Sequence, residues 1–161
     1  MAPRRIARNV APAVGPVCAR AMISHGAGRG SGGRVAYVLA ALGGALGALA
    51  RWAVVLALPR SSGDWPWATL TVNLVGCLLI GVLLAVLSAR RPDDEHLRTF
   101  LGAGVLGGFT TFSAFAVEVA DLLRAGVPVV AAGYVATSVL GGLLAVVAGL
   151  RLGATTARSR S

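Results

Sequence analysis

Residues 65–89 read WPWATLTVNLVGCLLIGVLLAVLSA, an unbroken run from Trp65 to Ala89 without one charged side chain. A helix rises about 1.5 Å per residue and the hydrocarbon layer of a bilayer is about 30 Å thick, so about 20 apolar residues cross it. This run is long enough to span. Three similar runs lie on either side of it: Val35–Leu58, interrupted only by Arg51, then Thr99–Val117 and Ala125–Leu150. Short polar links at Pro59–Asp64, Arg90–Arg98 and around Asp121–Arg124 separate them. The pattern predicts an all-α membrane protein of four transmembrane helices.

Composition agrees. Of 161 residues, 56% are hydrophobic and 13% charged, and an ordinary soluble domain carries about 25% charged residues. The mean hydropathy is +0.76. A soluble chain this small leaves much of its surface wet and cannot bury so much apolar area. A soluble enzyme, a disordered protein and a disulfide scaffold are thereby excluded. The two cysteines, Cys18 in a polar stretch and Cys77 in an apolar run, form no metal-ligand spacing, and His25 and His96 both lie in polar stretches.

The net charge of +9 comes from 15 basic residues, all of them Arg. Six (Arg4, Arg5, Arg8, Arg20, Arg29 and Arg34) precede the first apolar run, and most others flank the runs. Charge beside membrane spans is placed this way, whereas a nucleic-acid site strings it along a groove that follows phosphates. No nucleic-acid partner is expected. Residues 1–34, rich in Arg, Pro, Gly, Ala and Ser, read as a disordered tail, and Arg8, Pro12, Pro16 and Arg20 interrupt any signal-peptide core. Residues 35–152 form the membrane domain and 153–161 a short C-terminal tail.

Glycine is abundant inside the spans. Gly43 and Gly47 form one GxxxG pair, Gly104 and Gly108 another, and Gly141-Gly142 adds a third small site. Such residues let backbones approach closely in lipid. Packing accounts less well for Gly107-Gly108-Phe109-Thr110-Thr111, a cluster of poor helix formers inside the shortest run. A helix broken there exposes amides and carbonyls at membrane depth, which is tolerated only where they face protein, water or an ion. We expect the third helix to be broken near its middle.

Polar side chains at depth are few. Thr69, Asn73 and Gly76 share one helix face, and Asn73 serves either as an interhelical hydrogen bond or as a neutral donor in a pore. Arg51 and Glu118 each lie near a span end, where snorkelling to the interface is the ordinary outcome; a gating or structural part is the other reading. Tyr134 and Ser138, four apart on the last span, are expected to bond their own backbone carbonyls. Phe112 and Phe115 share a face, ordinarily for packing. An aromatic ring has a positive edge, however, and two rings presented edge-on stabilise an anion without a fixed charge. Conduction requires that grip to be weak enough for the ion to leave. No paired carboxylates, no Ser–His–Asp set and no phosphate loop occurs in the runs, so catalysis is not expected. The first, second and fourth spans contain no carboxylate to titrate, which favours passive conduction over proton-driven pumping.

These residues resemble a known family. Gly43-Gly44-Ala45-Leu46-Gly47-Ala48-Leu49-Ala50-Arg51-Trp52 is similar to the GGxxGAxxRY signature of the Fluc (CrcB) fluoride channels. Thr69–Gly76 resembles their TLxVNxxG segment, and Gly104–Phe115 their GxxGGxTTFSTF segment, with Glu118 at the matching offset. Trp52 replaces the usual Tyr and Ala114 the usual Thr. The resemblance covers about Val35 to Leu150 and implies a passive channel that exports fluoride from the cytoplasm and lowers its toxicity. It further implies an antiparallel dimer in lipid with two pores at its interface. By motif position, the carbonyls of Gly107 and Thr110 would bind a structural sodium ion at the dimer centre. Phe112 and Phe115 would be the ring-edge residues and Asn73 a pore donor, with Thr69, Tyr134 and Ser138 as further pore-lining positions.

Arginine is distributed unevenly about the spans. The side carrying the amino terminus would hold the tail, Arg90, Arg91 and Arg98, and then Arg151, Arg158 and Arg160; the other side would hold only Arg60 and Arg124. Such a bias sets a fixed orientation with the amino terminus in the cytoplasm. The antiparallel mate would then be a second, homologous subunit of opposite topology. Two other functions stay open at this point: a small four-helix exporter of another class, which needs a central carboxylate, and a non-transporting membrane subunit.

Overall fold

The computed structural model describes residues 31–61, 63–91 and 93–158. Of the tail expected over 1–34, residues 1–30 lie outside the described residues, and 31–34 form the first turn of a helix instead. Helix α1 (Ser31–Ala57) is followed by α2 (Trp67–Arg90). The third span is composite: the short helix α3 (Glu95–Arg98), a π-helix over Thr99–Leu106, the single turn α4 (Gly107–Phe109), and α5 (Phe112–Arg124). Helix α6 (Pro128–Arg158) is the last element described and takes in residues 153–158 of the expected C-terminal tail, the rest of which lies outside the described residues. Four segments are long and apolar enough to cross a membrane, Gly33–Ala57, Trp67–Arg90, Glu95–Arg124 and Pro128–Ala157. Among the described residues there is no strand.

Local chemistry sets the ends. Leu58 closes α1 by donating to Val54 O at 3.0 Å, and Pro59 then steers the chain out of helical geometry. Asp94 caps α3 with Oδ1 accepting from the Leu97 N–H at 2.9 Å, and that N–H holds its carboxyl below the usual carboxylate range. Between α5 and α6, Gly126 takes φ +74°, a conformation glycine adopts without penalty. Gly126 N donates to Leu123 O and Val127 N to Leu122 O, both at 3.1 Å, the bond pair of a Schellman turn.

The expected glycine pairs meet each other. A Cβ on Gly43 would run into the backbone of Phe100, Gly104 and Val105, and one on Gly108 into the backbone of Gly44. The two GxxxG motifs are therefore the two faces of one contact, between α1 and the first half of the third span. A second close approach joins α2 to α6, with Gly81 against Val146–Leu150 and Gly149 against Leu78–Val82. Leu70, Leu122, Ala131 and Tyr134 form a buried cluster, with Trp65, Leu74 and Phe115 packed on it. Large apolar side chains such as Leu46, Leu49, Trp52, Leu140 and Leu144 point outward instead, the inverse of a soluble fold and the arrangement lipid requires.

Gly47 gives a direct test of this packing. An added Cβ would overlap Val105 O and lie 2.7 Å from Phe109 N and 3.0 Å from the Gly108 carbonyl carbon, all backbone atoms that cannot swing aside. Gly47→Ala is expected to cost about 3 kcal/mol or more, read as a lower unfolding midpoint in detergent. An unchanged midpoint would show that the helices do not approach this closely.

Candidate functional site

The third span breaks at Thr110 and Thr111. Thr110 has φ −78° and ψ 159°, Thr111 φ −150° and ψ 127°, two extended residues between helical segments. Thr110 N still donates to Leu106 O at 3.0 Å and its hydroxyl to the same oxygen at 2.9 Å, so the first half ends on a doubly bonded carbonyl. The second half starts on Thr111, whose Oγ1 accepts from Ala114 N at 3.2 Å as an N-cap.

Asn73 holds the break open. Its Nδ2 donates to Thr111 O and its Oδ1 accepts from Thr111 N, each at 2.9 Å. One amide side chain thus satisfies both backbone groups of an extended residue at membrane depth, as a neighbouring strand would. Two polar groups left unpaired there would each cost about 1–3 kcal/mol, so the break depends on a donor-and-acceptor side chain at position 73. Gly76, one turn further along α2, leaves room for the Thr110 side chain, into which a Cβ would run.

In an uninterrupted helix the N–H of Thr111 would bond Gly107 O, and that of Ala114 would bond Thr110 O. Here Asn73 Oδ1 takes the first N–H and Thr111 Oγ1 the second. The carbonyls of Gly107 and Thr110 therefore lose their helical donors, and Gly107 is exposed. Arg51 Nη1 donates to Thr110 O at 3.3 Å. This bond is long and leaves the second lone pair of that oxygen available.

Neither Arg51 nor Glu118 snorkels. Arg51 turns inward to the break, and Glu118 is drawn between two hydroxyls, Thr69 Oγ1 at 2.8 Å and Tyr134 Oη at 2.7 Å, both donating. The expectation that Tyr134 and Ser138 bond their own helix also gives way. Tyr134 is fully buried and bonds Glu118, while Ser138 Oγ is buried with no hydrogen-bond partner among the described residues. The carboxylate competes successfully for the Tyr134 hydroxyl because charge-assisted bonds are about twice as strong as neutral ones.

Two grooves flank the break. One, of about 350 Å³, is lined by Asn73, Thr111, Phe112, Phe115 and Ser138 among others. The other, of about 370 Å³, is lined by Arg51, Thr69, Thr111 and Ser113 among others. Phe112 is 80% exposed on the surface of this chain. Phe115 lies inward, its ring 5.9 Å from that of Phe112 and 5.2 Å from that of Tyr134, tilted by 42° and 45°. The grooves together bring Asn73, Thr69, Phe112, Phe115 and Ser138 to the two sides of Thr111. Tyr134 reaches the same region through Glu118.

Sequence reasoning overlooked three features. Thr111 acts both as the partner of Asn73 and as a helix cap, and a Thr preceding a helix start was the available signal. Ser113 joins it, with the two hydroxyl oxygens 3.2 Å apart. The π-helix over Thr99–Leu106 carried no pattern that period counting detects; its wider turn shows where Gly107 N bonds Gly102 O, five residues back.

The sequence is similar to known ones. The pattern defining the family described as "CrcB-like protein, Camphor Resistance (CrcB)" matches residues 38–150. The chain is 47% identical over 117 residues to "Fluoride-specific ion channel FluC" of Paracoccus denitrificans, covering 73% of this chain and 93% of that protein. It is 47% identical to a protein of the same description from Chloroflexus aurantiacus, covering 70% and 90%. With "Fluoride-specific ion channel FluC 2" of Streptomyces avermitilis it is 48% identical over 98 residues, 61% of this chain and 62% of that one. The match runs through all four spans and through the clasped break between them, and this multi-pass membrane protein belongs to the CrcB-like family.

Proposed function

We propose that the chain is a fluoride-selective passive channel that releases fluoride from the cytoplasm. The observation that carries this reading is the Thr110–Thr111 break clasped by Asn73, with Phe112 and Phe115 leaving it along one groove. Fluoride is small and strongly hydrated, so a path for it must replace water by many modest contacts. The hydroxyls of Ser138 and Ser113 and the ring edges of Phe112 and Phe115 offer these, while Thr69 lines the second groove with its hydroxyl hydrogen already given to Glu118. Asn73 keeps one amide hydrogen beyond its bond to Thr111. Arg51, in the second groove, raises the local anion concentration at the entrance. The relatives' descriptions as fluoride-specific channels support the same reading.

Phe112, so exposed on one chain, is suited to an interface, and the proposal includes an antiparallel dimer with two pores along it. A structural sodium ion at the dimer centre is part of the proposal. The donor set fits: Gly107 and Thr110 offer carbonyls stripped of their helical donors, and hard cations take oxygen ligands. Bound there, sodium would supply positive charge beside these carbonyls. Replacing sodium by N-methylglucamine is expected to lower the unfolding midpoint and dissociate the dimer, read by light scattering. A midpoint and mass insensitive to sodium would remove the ion from the proposal.

Arginine asymmetry favours one orientation, with the amino terminus in the cytoplasm and a homologous subunit of opposite topology as the mate. Reporters fused to both ends of this chain should label one side only; equal labelling of both sides would make it a homodimer former. The channel reading is tested by a fluoride electrode outside loaded vesicles that carry the chain with its mate: fluoride should leave within seconds, and vesicles no leakier than protein-free ones would favour a non-transporting subunit.

A further inference from the structure

A third cavity lies away from the break, at the end of the bundle where α1 finishes and α5 turns into α6. It measures about 390 Å³ and is lined by Arg60, Ser61, Asp121, Arg124 and Ala125. Asp121 is ten residues beyond Thr111, about 15 Å along the helix, so this cavity is separate from the grooves. Two guanidinium groups share the single carboxylate: Arg124 Nη1 lies 3.2 Å from Asp121 Oδ1, and Arg60 Nη2 lies 3.9 Å from Asp121 Oδ2. The lining side chains therefore carry a net charge of +1, with Asp64 next to them, its Oδ2 accepting from Ser61 N at 3.1 Å.

Arg60 is only partly satisfied. Its side chain is 24% exposed, the contact of Nη2 is long, and Nη1 is buried with no hydrogen-bond partner among the described residues. Nη1 is enclosed by protein, so the group that meets an anion in the cavity is Nη2, whose ion pair with Asp121 is long. Arg124, 78% exposed, has further N–H groups to offer. The cavity sits where the spans end, at Ala57 and Arg124, and the tryptophans Trp65 and Trp67 stand at the start of α2 on the same side. Tryptophan at span ends marks headgroup depth. The anion most abundant at that depth is a lipid phosphate, and the planar guanidinium fork matches phosphate oxygens.

We propose that Arg60 and Arg124 form a phosphate site that holds the headgroup of an anionic phospholipid. The site prefers phosphatidylglycerol to phosphatidylcholine, because the net positive wall repels a quaternary ammonium. A bound headgroup would also tie the Pro59–Asp64 loop to the end of α5.

Native mass spectrometry of the full chain in detergent, with either phospholipid added, reads the retained lipid. The wild-type chain should hold one phosphatidylglycerol about tenfold more tightly than the Arg60→Gln/Arg124→Gln variant, the loss of roughly one charge-assisted bond. Asp121→Asn, which keeps both guanidinium groups and raises the wall charge to +2, should bind more tightly than wild type. Equal phosphatidylglycerol retention in wild type and the double variant overturns the proposal, as does equal retention of the two lipids by wild type. Weaker binding in Asp121→Asn overturns the charge argument. Inorganic phosphate supplies the second arm: if it raises the unfolding midpoint of wild type but not of the double variant, while phosphatidylglycerol shows no preference, the phosphate chemistry stands and the lipid as its source is rejected.

Discussion

Asn73→Ala is expected to reduce fluoride efflux about a hundredfold and to lower stability by about 2–3 kcal/mol. The substitution removes the donor to Thr111 O and the acceptor for Thr111 N together. Two backbone groups left unpaired would cost about 2–6 kcal/mol in a dry interior. Both grooves reach Thr111, however, so water can replace part of what Asn73 supplied, and the lower end of that range applies. A free-energy loss of about 2.7 kcal/mol in the open-break geometry corresponds to a hundredfold loss of its population. Asn73→Asp separates the two bonds, because it retains the acceptor, loses the donor and places a negative charge beside the anion path. It should conduct no better than Asn73→Ala. Efflux measured with an electrode and unfolding followed in detergent report the two effects separately, and wild-type efflux from Asn73→Ala would remove the clasp from the account.

The second large effect concerns the ring pair. Phe112→Ile and Phe115→Ile should each lower fluoride efflux about tenfold, the equivalent of roughly 1.4 kcal/mol of lost ring-edge stabilisation. Their stability costs differ. Phe115 packs on the buried cluster and against Tyr134, so its replacement leaves a partial cavity and costs about 1–2 kcal/mol. Phe112 is 80% exposed and its replacement barely alters folding of the single chain, which makes it the cleaner test. Leu140→Ile, on an outward apolar position of α6, controls for a general change in the apolar surface. If Phe112→Ile conducts as wild type, ring edges do not contribute to the path.

The spans were legible because lipid imposes one dominant requirement, about 20 apolar residues with every backbone group satisfied internally. The break was legible for a related reason: Gly107-Gly108-Phe109-Thr110-Thr111 has no cause to stand inside a span unless the helix is interrupted. The interruption falls at Thr110–Thr111, on the threonines rather than the glycines, and Gly108 stays helical in close contact with Gly44 of α1. What holds the break was half legible. The shared face of Thr69, Asn73 and Gly76 was visible in their spacing, and all three meet the third span, at Glu118, Thr111 and Thr110 respectively. The fates of Arg51 and Glu118 were not visible. Position along a helix allows either snorkelling or an inward turn, and the choice rests on partners brought by other spans, Thr110 O for Arg51 and the hydroxyls of Thr69 and Tyr134 for Glu118. Periodicity does not register such long-range pairings.

Glu118 also bears on the competing reading of a proton-driven exporter. Of the two carboxylates on α5, Glu118 and Asp121, Glu118 is the one that bonds side chains of other spans, and both its oxygens are taken by hydroxyl donors. No second carboxylate stands in the other spans to share a proton with it. Neutral donors and ring edges beside the break imply transport down the electrochemical gradient, carried as net charge.

Passive, selective conduction is therefore the claim to measure directly, in vesicles loaded with both fluoride and chloride and carrying the chain with its proposed mate. With potassium and valinomycin balancing the charge, fluoride should leave rapidly at a rate indifferent to an imposed pH gradient, while chloride stays inside. Fluoride efflux that needs no charge balance and follows the pH gradient, or chloride leaving alongside fluoride, would contradict the account.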